Sequence, residues 1–142
     1  MPSLVLVLLQ FAALAALAVP WSGGPWHAAG YVPLAASVLL GAWTLRHNRP
    51  GNFGVMPEVR PGAQLVTSGP YAYVRHPMYL AVLLAGLGLL AGWRGGVHVV
   101  ALVMLLAVLH VKAVREERLL AARFPGYAAY RARTKRLIPF VL

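Results

Sequence analysis

Four runs of apolar residues dominate this chain, Ser3 to Pro20, Gly30 to Leu45, Met78 to Trp93 and Val97 to Val114, and none of them shows a polar face. A helix of a soluble bundle keeps a polar stripe toward water, so runs that are apolar all round are expected to meet lipid instead. A helix needs about 20 such residues to cross a bilayer core. The two shorter runs are extended by flanking Tyr and Trp, which sit at headgroup depth. Composition agrees: 60% of the 142 residues are hydrophobic and 11% are charged, against about 25% charged in an ordinary soluble domain. The expected fold is all-α, a polytopic membrane helical bundle of about four transmembrane helices. It reads as one domain over residues 1–142, with helices 1 and 2 in 1–45, an ordered cytoplasmic loop in 46–77, helices 3 and 4 in 78–117 and a basic tail in 118–142.

The formal charge of +10 is unevenly placed. No Lys or Arg lies between helices 1 and 2, and only Arg94 lies between helices 3 and 4. The middle loop carries Arg46, Arg49, Arg60 and Arg75, and the tail from Lys112 onward carries the remaining eight. By the positive-inside rule the loop, the tail and both termini are expected in the cytoplasm, at an inner membrane of bacterial type. A nucleic-acid footprint is the competing reading of so basic a chain. These charges flank membrane runs and can meet anionic headgroups, so no nucleic acid is expected as a partner. Ala16-Leu17-Ala18 has the small-residue spacing of a cleavage site, but no Lys or Arg precedes the apolar run, and the segment is expected to remain as a helix. Cysteine is absent, which removes disulfides, thiolate nucleophiles and Cys-based metal sites. The five His show no i,i+4 pairing, and no metal is expected.

Along the chain, helix 1 has no ionisable side chain, and "WSGGPW" is a turn with two Trp at the interface, beside His27. The stretch from Arg46 to Val74 holds four Pro and four Gly, too many for a continuous helix. Loops longer than about 12 to 15 residues are usually functional or disordered. Phe53, Val55, Met56, Leu65, Val66, Tyr71 and Tyr73 offer apolar anchors, so folding against the membrane face is expected here. Helix 3 opens at Pro77, a residue suited to a first helical position. Arg75 and His76 then stand where free backbone N–H groups and the macrodipole favour an anion. Gly86, Gly88 and Gly92 allow a neighbouring helix to approach closely.

Helix 4 turns charged at its end, "HVKAVREERLLAARF". Lys112 and Glu116 are one turn apart, and a solvated i,i+4 ion pair is the simplest reading of them. Tyr127 and Tyr130, three apart among basic residues, are compatible with a C-terminal interfacial helix. Arg75, His76 and Tyr79 on one element and Glu116 and Glu117 on another together offer donors for an anion and a carboxylate for a cation. A small zwitterion suits both.

"LVTSGPYAYVRHPMYL" and, downstream, "EERLLAARFPGYAAYRARTKRLIP" resemble the isoprenylcysteine carboxyl methyltransferase family and related phospholipid methyltransferases. The likeness runs from Asn52 to Pro139, while helices 1 and 2 match only in being hydrophobic. The carrying motif is Arg-His-Pro-x-Tyr with Glu-Glu at the end of the next helix. The resemblance implies an integral-membrane methyltransferase that uses S-adenosylmethionine without a Rossmann domain. Its cofactor-binding residues fall on Gln64, Leu65, Val66, Tyr71, Arg75, His76, Pro77, Met78, Tyr79, Glu116 and Glu117, and its substrate-associated position on Lys112. The usual Gly two places after the motif Tyr is Ala81 here. The implied acceptor is lipophilic or membrane-associated: an isoprenylcysteine-like carboxylate, a phospholipid amine or a thiol. An anionic acceptor needs little acid–base help, and positioning with water exclusion supplies most of the rate. An amine needs a base, for which the chain offers His110. The alternative is a non-catalytic membrane scaffold or subunit whose basic tail binds anionic lipid.

Overall fold

A computed structural model describes residues 2–48, 52, 56, 58 and 61–138. Phe53, Val55, Arg49, Arg60 and Pro139, given roles above, lie outside the described residues. The described chain is all-helical: α1 Ser3–Ala18, α2 Tyr31–His47, α3 Pro77–Trp93, α4 Gly96–Arg123 and α5 Tyr127–Arg133, with 3-10 turns at Ala28–Gly30 and Gly69–Ala72. Among the described residues there is no strand, only an isolated parallel bridge between Val74 and Lys135. Helix α3 begins at the expected Pro77 and ends at Trp93; Arg94, with φ of 49°, caps it and reverses the chain, and Gly95 leads into α4 at Gly96.

Helix α3 is central, with α2 against one side and α4 and α1 against the other. Glycine makes the first contact. A Cβ on Gly88 would stand 2.7 Å from Leu34 Cγ and 2.9 Å from the Gly30 carbonyl oxygen, and one on Gly92 would overlap the Trp26 ring. With no side chain in the way the backbones close, and Trp26 lies edge-on to Trp93 at 4.9 Å. On the opposite side Gly86 receives Leu102, Leu105 and Leu17. Helix α1 presents Leu6, Gln10, Ala13 and Leu17, a helical stripe, and packs along α4. The buried core joins Ala13, Leu17, Leu83, Ala101, Leu105 and Leu109 with Leu137 from the tail.

Outside these contacts the helices stay apolar. Tyr31, Val32, Val38 and Leu39 of α2 and Val99, Val100 and Val103 of α4 are all at least half exposed. Two helical stretches are long and apolar enough to cross a membrane, Ala28–His47 and Gly96–Arg123. Only 11% of the first is buried, whereas a core helix of a soluble protein is mostly buried, so lipid is the natural cover for it. Helices α1 and α3, of 16 and 17 residues, are shorter.

The tail differs from the sequence reading. Helix α4 continues to Arg123, beyond the boundary expected at 117, and α5 has only seven residues. Tyr127 and Tyr130 are buried against the protein rather than laid on an interface, and Leu137 is fully buried in the bundle. The anchors an interfacial helix would give to lipid are used to fasten the tail to the protein.

The close approach of α2 and α3 is testable by unfolding in detergent. Gly88→Val is expected to destabilise by about 1–3 kcal/mol, the usual penalty for overpacking. Gly96→Ala, where a Cβ meets nothing within 4 Å, is expected to stay within about 0.5 kcal/mol of the parent.

Candidate functional site

Where α3 begins and α4 approaches its end, a cleft of about 920 Å³, open mouth included, lies beneath the loop before α3. Gln64, Leu65 and Val66 reach it from the loop and Tyr71 from the 3-10 turn. Arg75, His76, Pro77, Met78 and Tyr79 line it from the helix entry, and Glu116 from α4. Of the expected cofactor positions only Glu117 is not on its wall, and Lys112 stands behind the wall with Nζ 5.3 Å above the Tyr79 ring.

The two adjacent acids have parted company. Successive helical residues point about 100° apart, and that turn gives Glu116 to the cleft and Glu117 to the tail. Glu117, 4% exposed, accepts from Arg75 Nε at 2.8 Å and from Arg136 Nε and Nη2 at 3.1 Å each. Arg75 Nη1 also donates to the Thr134 carbonyl and, at 3.2 Å, to that of Arg131. Arg75, read from sequence as a donor for a ligand anion, is therefore engaged mainly in holding the tail. The backbone completes the seam: Arg75 N donates to Lys135 O at 2.8 Å and His76 N to Arg136 O at 3.1 Å. The Tyr130 hydroxyl donates to Tyr71 O at 2.7 Å.

In the cleft, His76 Nδ1 lies 3.3 Å from Glu116 Oε2, and the Tyr79 hydroxyl donates to Glu116 Oε1. The His76 and Tyr79 rings stack in parallel, with centroids 5.3 Å apart. His76 and Glu116 were expected to grip a zwitterion from opposite ends. They face the same space but touch one another, so the pair is a single preorganised group. His76 Nε2 approaches Glu117 Oε1 at 3.4 Å without the geometry of a hydrogen bond. Burial alone would push the imidazole down, but the two carboxylates outweigh it and hold its pKa above the ordinary value. The ring lies between two carboxylates that favour its protonated form.

Sequence reading missed the amide end of the cleft. Asn48 Nδ2 donates to the Tyr71 hydroxyl at 2.9 Å, and Asn52 Nδ2 donates to Asn48 Oδ1 at 2.8 Å. Asn52 also bonds Gln64 at both its N–H and its carbonyl, at 3.1 and 3.0 Å, and so fixes the loop. Burial pushes the Tyr71 phenol up to about 12, the Asn48 hydrogen bond opposing and the Glu116 charge adding, which keeps it a neutral donor. Two amides four apart at the end of an apolar run were the available signal.

Two further readings are corrected. Lys112 does not sit on a solvated face with Glu116; it is 1% exposed and donates to Gln10 Oε1 at 2.6 Å. His110 lines a separate groove with Leu6, Val111 and Arg118, away from the cleft, and is no base for it.

Comparison with known proteins adds to this geometry. The model of the isoprenylcysteine carboxyl methyltransferase (ICMT) family matches residues 34–122. The match takes in most of α2 and stops inside α4, so it starts earlier and ends sooner than the resemblance from Asn52 to Pro139. Over 81 residues the chain is 40% identical to the cobalt-zinc-cadmium resistance protein CzcN of Cupriavidus metallidurans, covering 56% of this chain and 38% of that protein. Over the same length it is 32% identical to the nickel-cobalt-cadmium resistance protein NccN of Alcaligenes xylosoxydans xylosoxydans, again 56% and 38%. The match thus spans well under half the length of these relatives.

The tail seam can be broken from either side. Glu117→Ala leaves the Arg75 and Arg136 charges without their buried partner, and a loss of about 3–5 kcal/mol is expected in thermal unfolding. A group whose folded pKa is raised stabilises fully below its unfolded value, about 6.5 for His, and loses that contribution as pH rises through the folded value. Protection of the tail from protease is accordingly expected to fall with rising pH above the ordinary His range. In His76→Gln the slope should vanish, and an unchanged slope would show that His76 does not titrate in the seam.

Proposed function

The chain belongs to the isoprenylcysteine carboxyl methyltransferase family, and on that premise we propose that it is an enzyme transferring a methyl group from S-adenosylmethionine to a lipophilic or membrane-associated acceptor. The observation that carries the reading is Glu116, a carboxylate held by His76 and Tyr79 at the wall of the cleft. The donor set suits the cofactor. Leu65, Val66 and Met78 offer an apolar shelf for a base, Asn48, Asn52 and Tyr71 offer edge-on hydrogen bonds, and Glu116 offers a counter-charge to an ammonium or sulfonium. When bound, S-adenosylmethionine supplies an activated methyl group on a cationic sulfur.

The protein's own part is to bind and orient. Tyr79 and His76 fix the Glu116 carboxylate before any ligand arrives, so little reorganisation is left for binding. Asn52 holds the Gln64 backbone and thus the loop that covers the cleft. The resemblance assigns Lys112 a place beside the acceptor; in the structure it lies behind Tyr79, off the cleft wall. An isoprenylcysteine-like carboxylate, a phospholipid amine and a thiol remain the three classes, each able to arrive through the bilayer.

Four spans with both termini and the cleft in the cytoplasm are part of the same proposal. The charge distribution supports it, together with the apolar surfaces of α1 and α3 beside the two longer helices. The competing reading is a membrane scaffold without catalysis, favoured by the exposed Arg131, Arg133 and Lys135, which suit anionic headgroups. The cobalt, zinc, cadmium and nickel resistance in the relatives' names is compatible with an enzyme that modifies a membrane constituent.

Calorimetry in nanodiscs separates the two. The parent is expected to bind S-adenosylmethionine, and Glu116→Ala to weaken it about tenfold or more, a charge-assisted hydrogen bond being worth about 1.5–3 kcal/mol. Absence of binding by the parent would favour the scaffold. Labelled S-adenosylmethionine presented with prenylated thioethers, aminophospholipids and small thiols then names the acceptor, and transfer to water-soluble acceptors alone would overturn its lipophilic class.

A further inference from the structure

On the tail side of the Glu117 seam lies a second hollow, a groove of about 710 Å³ with its open mouth included. Arg75, Arg131, Arg133, Lys135 and Arg136 line it, with Thr134 among them, and no acidic side chain is on its wall. The chain has only three acidic side chains to set against thirteen Lys and Arg. Glu58 and Glu116 line the cleft, and Glu117 is shared by Arg75 and Arg136. Arg131, Arg133 and Lys135 are exposed and meet no acid on the groove wall. Like charges gathered this closely repel one another, so the groove calls for an anion from outside the chain. Its frame is fixed before anything binds: Arg75 N and His76 N hold the carbonyls of Lys135 and Arg136 at 2.8 and 3.1 Å, and the Thr134 hydroxyl donates to Tyr130 O at 2.7 Å.

The surroundings say which anion. Lys135 N donates to Tyr73 O at 3.3 Å. Tyr73 is 60% exposed and stands against the exposed Trp43, with ring centroids 6.4 Å apart. Trp43 lies near the end of Ala28–His47, one of the two stretches able to cross a membrane. Exposed Trp and Tyr at such a place settle at headgroup depth. The groove therefore opens where a leaflet carries its phosphates, and basic residues beside a membrane helix attract anionic headgroups.

We propose that this groove seats the phosphate of an anionic phospholipid headgroup, and that the seated lipid fastens the tail segment whose Tyr127 and Tyr130 form one wall of the cleft. Arg75 and Arg136 are common to the groove and to the Glu117 seam, so an occupant bears directly on the contacts that hold the tail. A basic tail that met lipid only diffusely would bind in proportion to its charge, wherever that charge stood. A built groove depends on Arg131, Arg133 and Lys135 in particular. The proposal holds whether or not the cleft takes S-adenosylmethionine.

Two measurements on the full chain decide it. In neutral detergent, short-chain phosphatidylglycerol is titrated by calorimetry, and the parent is expected to bind it at least about tenfold more tightly than phosphatidylcholine or glycerol phosphate. Equal affinity for phosphatidylcholine overturns the anion site, equal affinity for glycerol phosphate assigns the groove to a soluble phosphate, and displacement by a short oligoribonucleotide assigns it to nucleic acid. Any of the three overturns the proposal, and none needs a variant. Changing Arg131, Arg133 and Lys135 together to Gln is expected to weaken phosphatidylglycerol by about tenfold or more, each basic residue near a membrane surface contributing appreciably. Changing Arg46, Arg118 and Arg123, which are exposed and off the groove, removes the same charge and is expected to stay within about threefold of the parent; equal losses in the two triple variants show diffuse attraction and overturn the site. In nanodiscs, hydrogen exchange of the amides from 127 to 136 is expected to slow about tenfold when phosphatidylglycerol is present at about ten times its Kd. The gain should be missing in the groove variant, and a parent whose tail exchanges equally with and without the anionic lipid overturns the fastening role.

Discussion

Two carboxylates at consecutive positions near the end of α4 organise everything on that side of the molecule. Neither would be stable there alone, because a buried charge without partners is among the largest penalties a fold can carry. Glu117 is met by cations from both ends of the sequence that surrounds it, Arg75 before α3 and Arg136 after α5. Glu116 is met by His76 and Tyr79. His76 stands between them and couples the two environments, so the group that helps fasten the tail also shapes the cleft.

The packing of α1 to α4 on one another has a different logic. In lipid there is no hydrophobic drive to bring helices together, and packing rests on backbones that can come close and on the few polar groups that find each other. Gly88, Gly92 and Gly30 provide the first between α2 and α3, while Gln10 and Lys112 provide the second between α1 and α4. Ser37 adds one more, its hydroxyl donating to the Ala81 carbonyl at 2.7 Å. The apolar surface left over on α2 and α4 is what a bilayer would cover.

Features written in a few adjacent residues could be read from the sequence. Pro77 marked the start of α3, the Pro and Gly of 61–74 marked a stretch without a continuous helix, and the paired motifs placed Glu116 beside His76. Features that depend on a distant partner could not. Which acid faces the cleft is decided by Arg75, 42 residues from Glu117. Lys112 looked solvated because Gln10 is 102 residues away. The tail looked like an interfacial helix because an aromatic pair with basic neighbours suits lipid and protein equally well, and only the space beside Tyr71 and the core around Leu137 decided for protein. Asn48 and Asn52 were passed over because amides at a helix end ordinarily cap or meet water.

Leu137 in the bundle and Arg136 on Glu117 have a consequence for biogenesis. One wall of the cleft is made by Tyr127 and Tyr130, which the tail brings back and which are synthesised after α1 to α4. Until that segment has emerged, Glu117 faces Arg75 with one cation missing, and the loop before α3 has no strand-like partner at Val74. Assembly of the cleft thus waits for the segment that follows α4, and a nascent chain halted after α4 would hold four helices yet lack one of the cleft's walls.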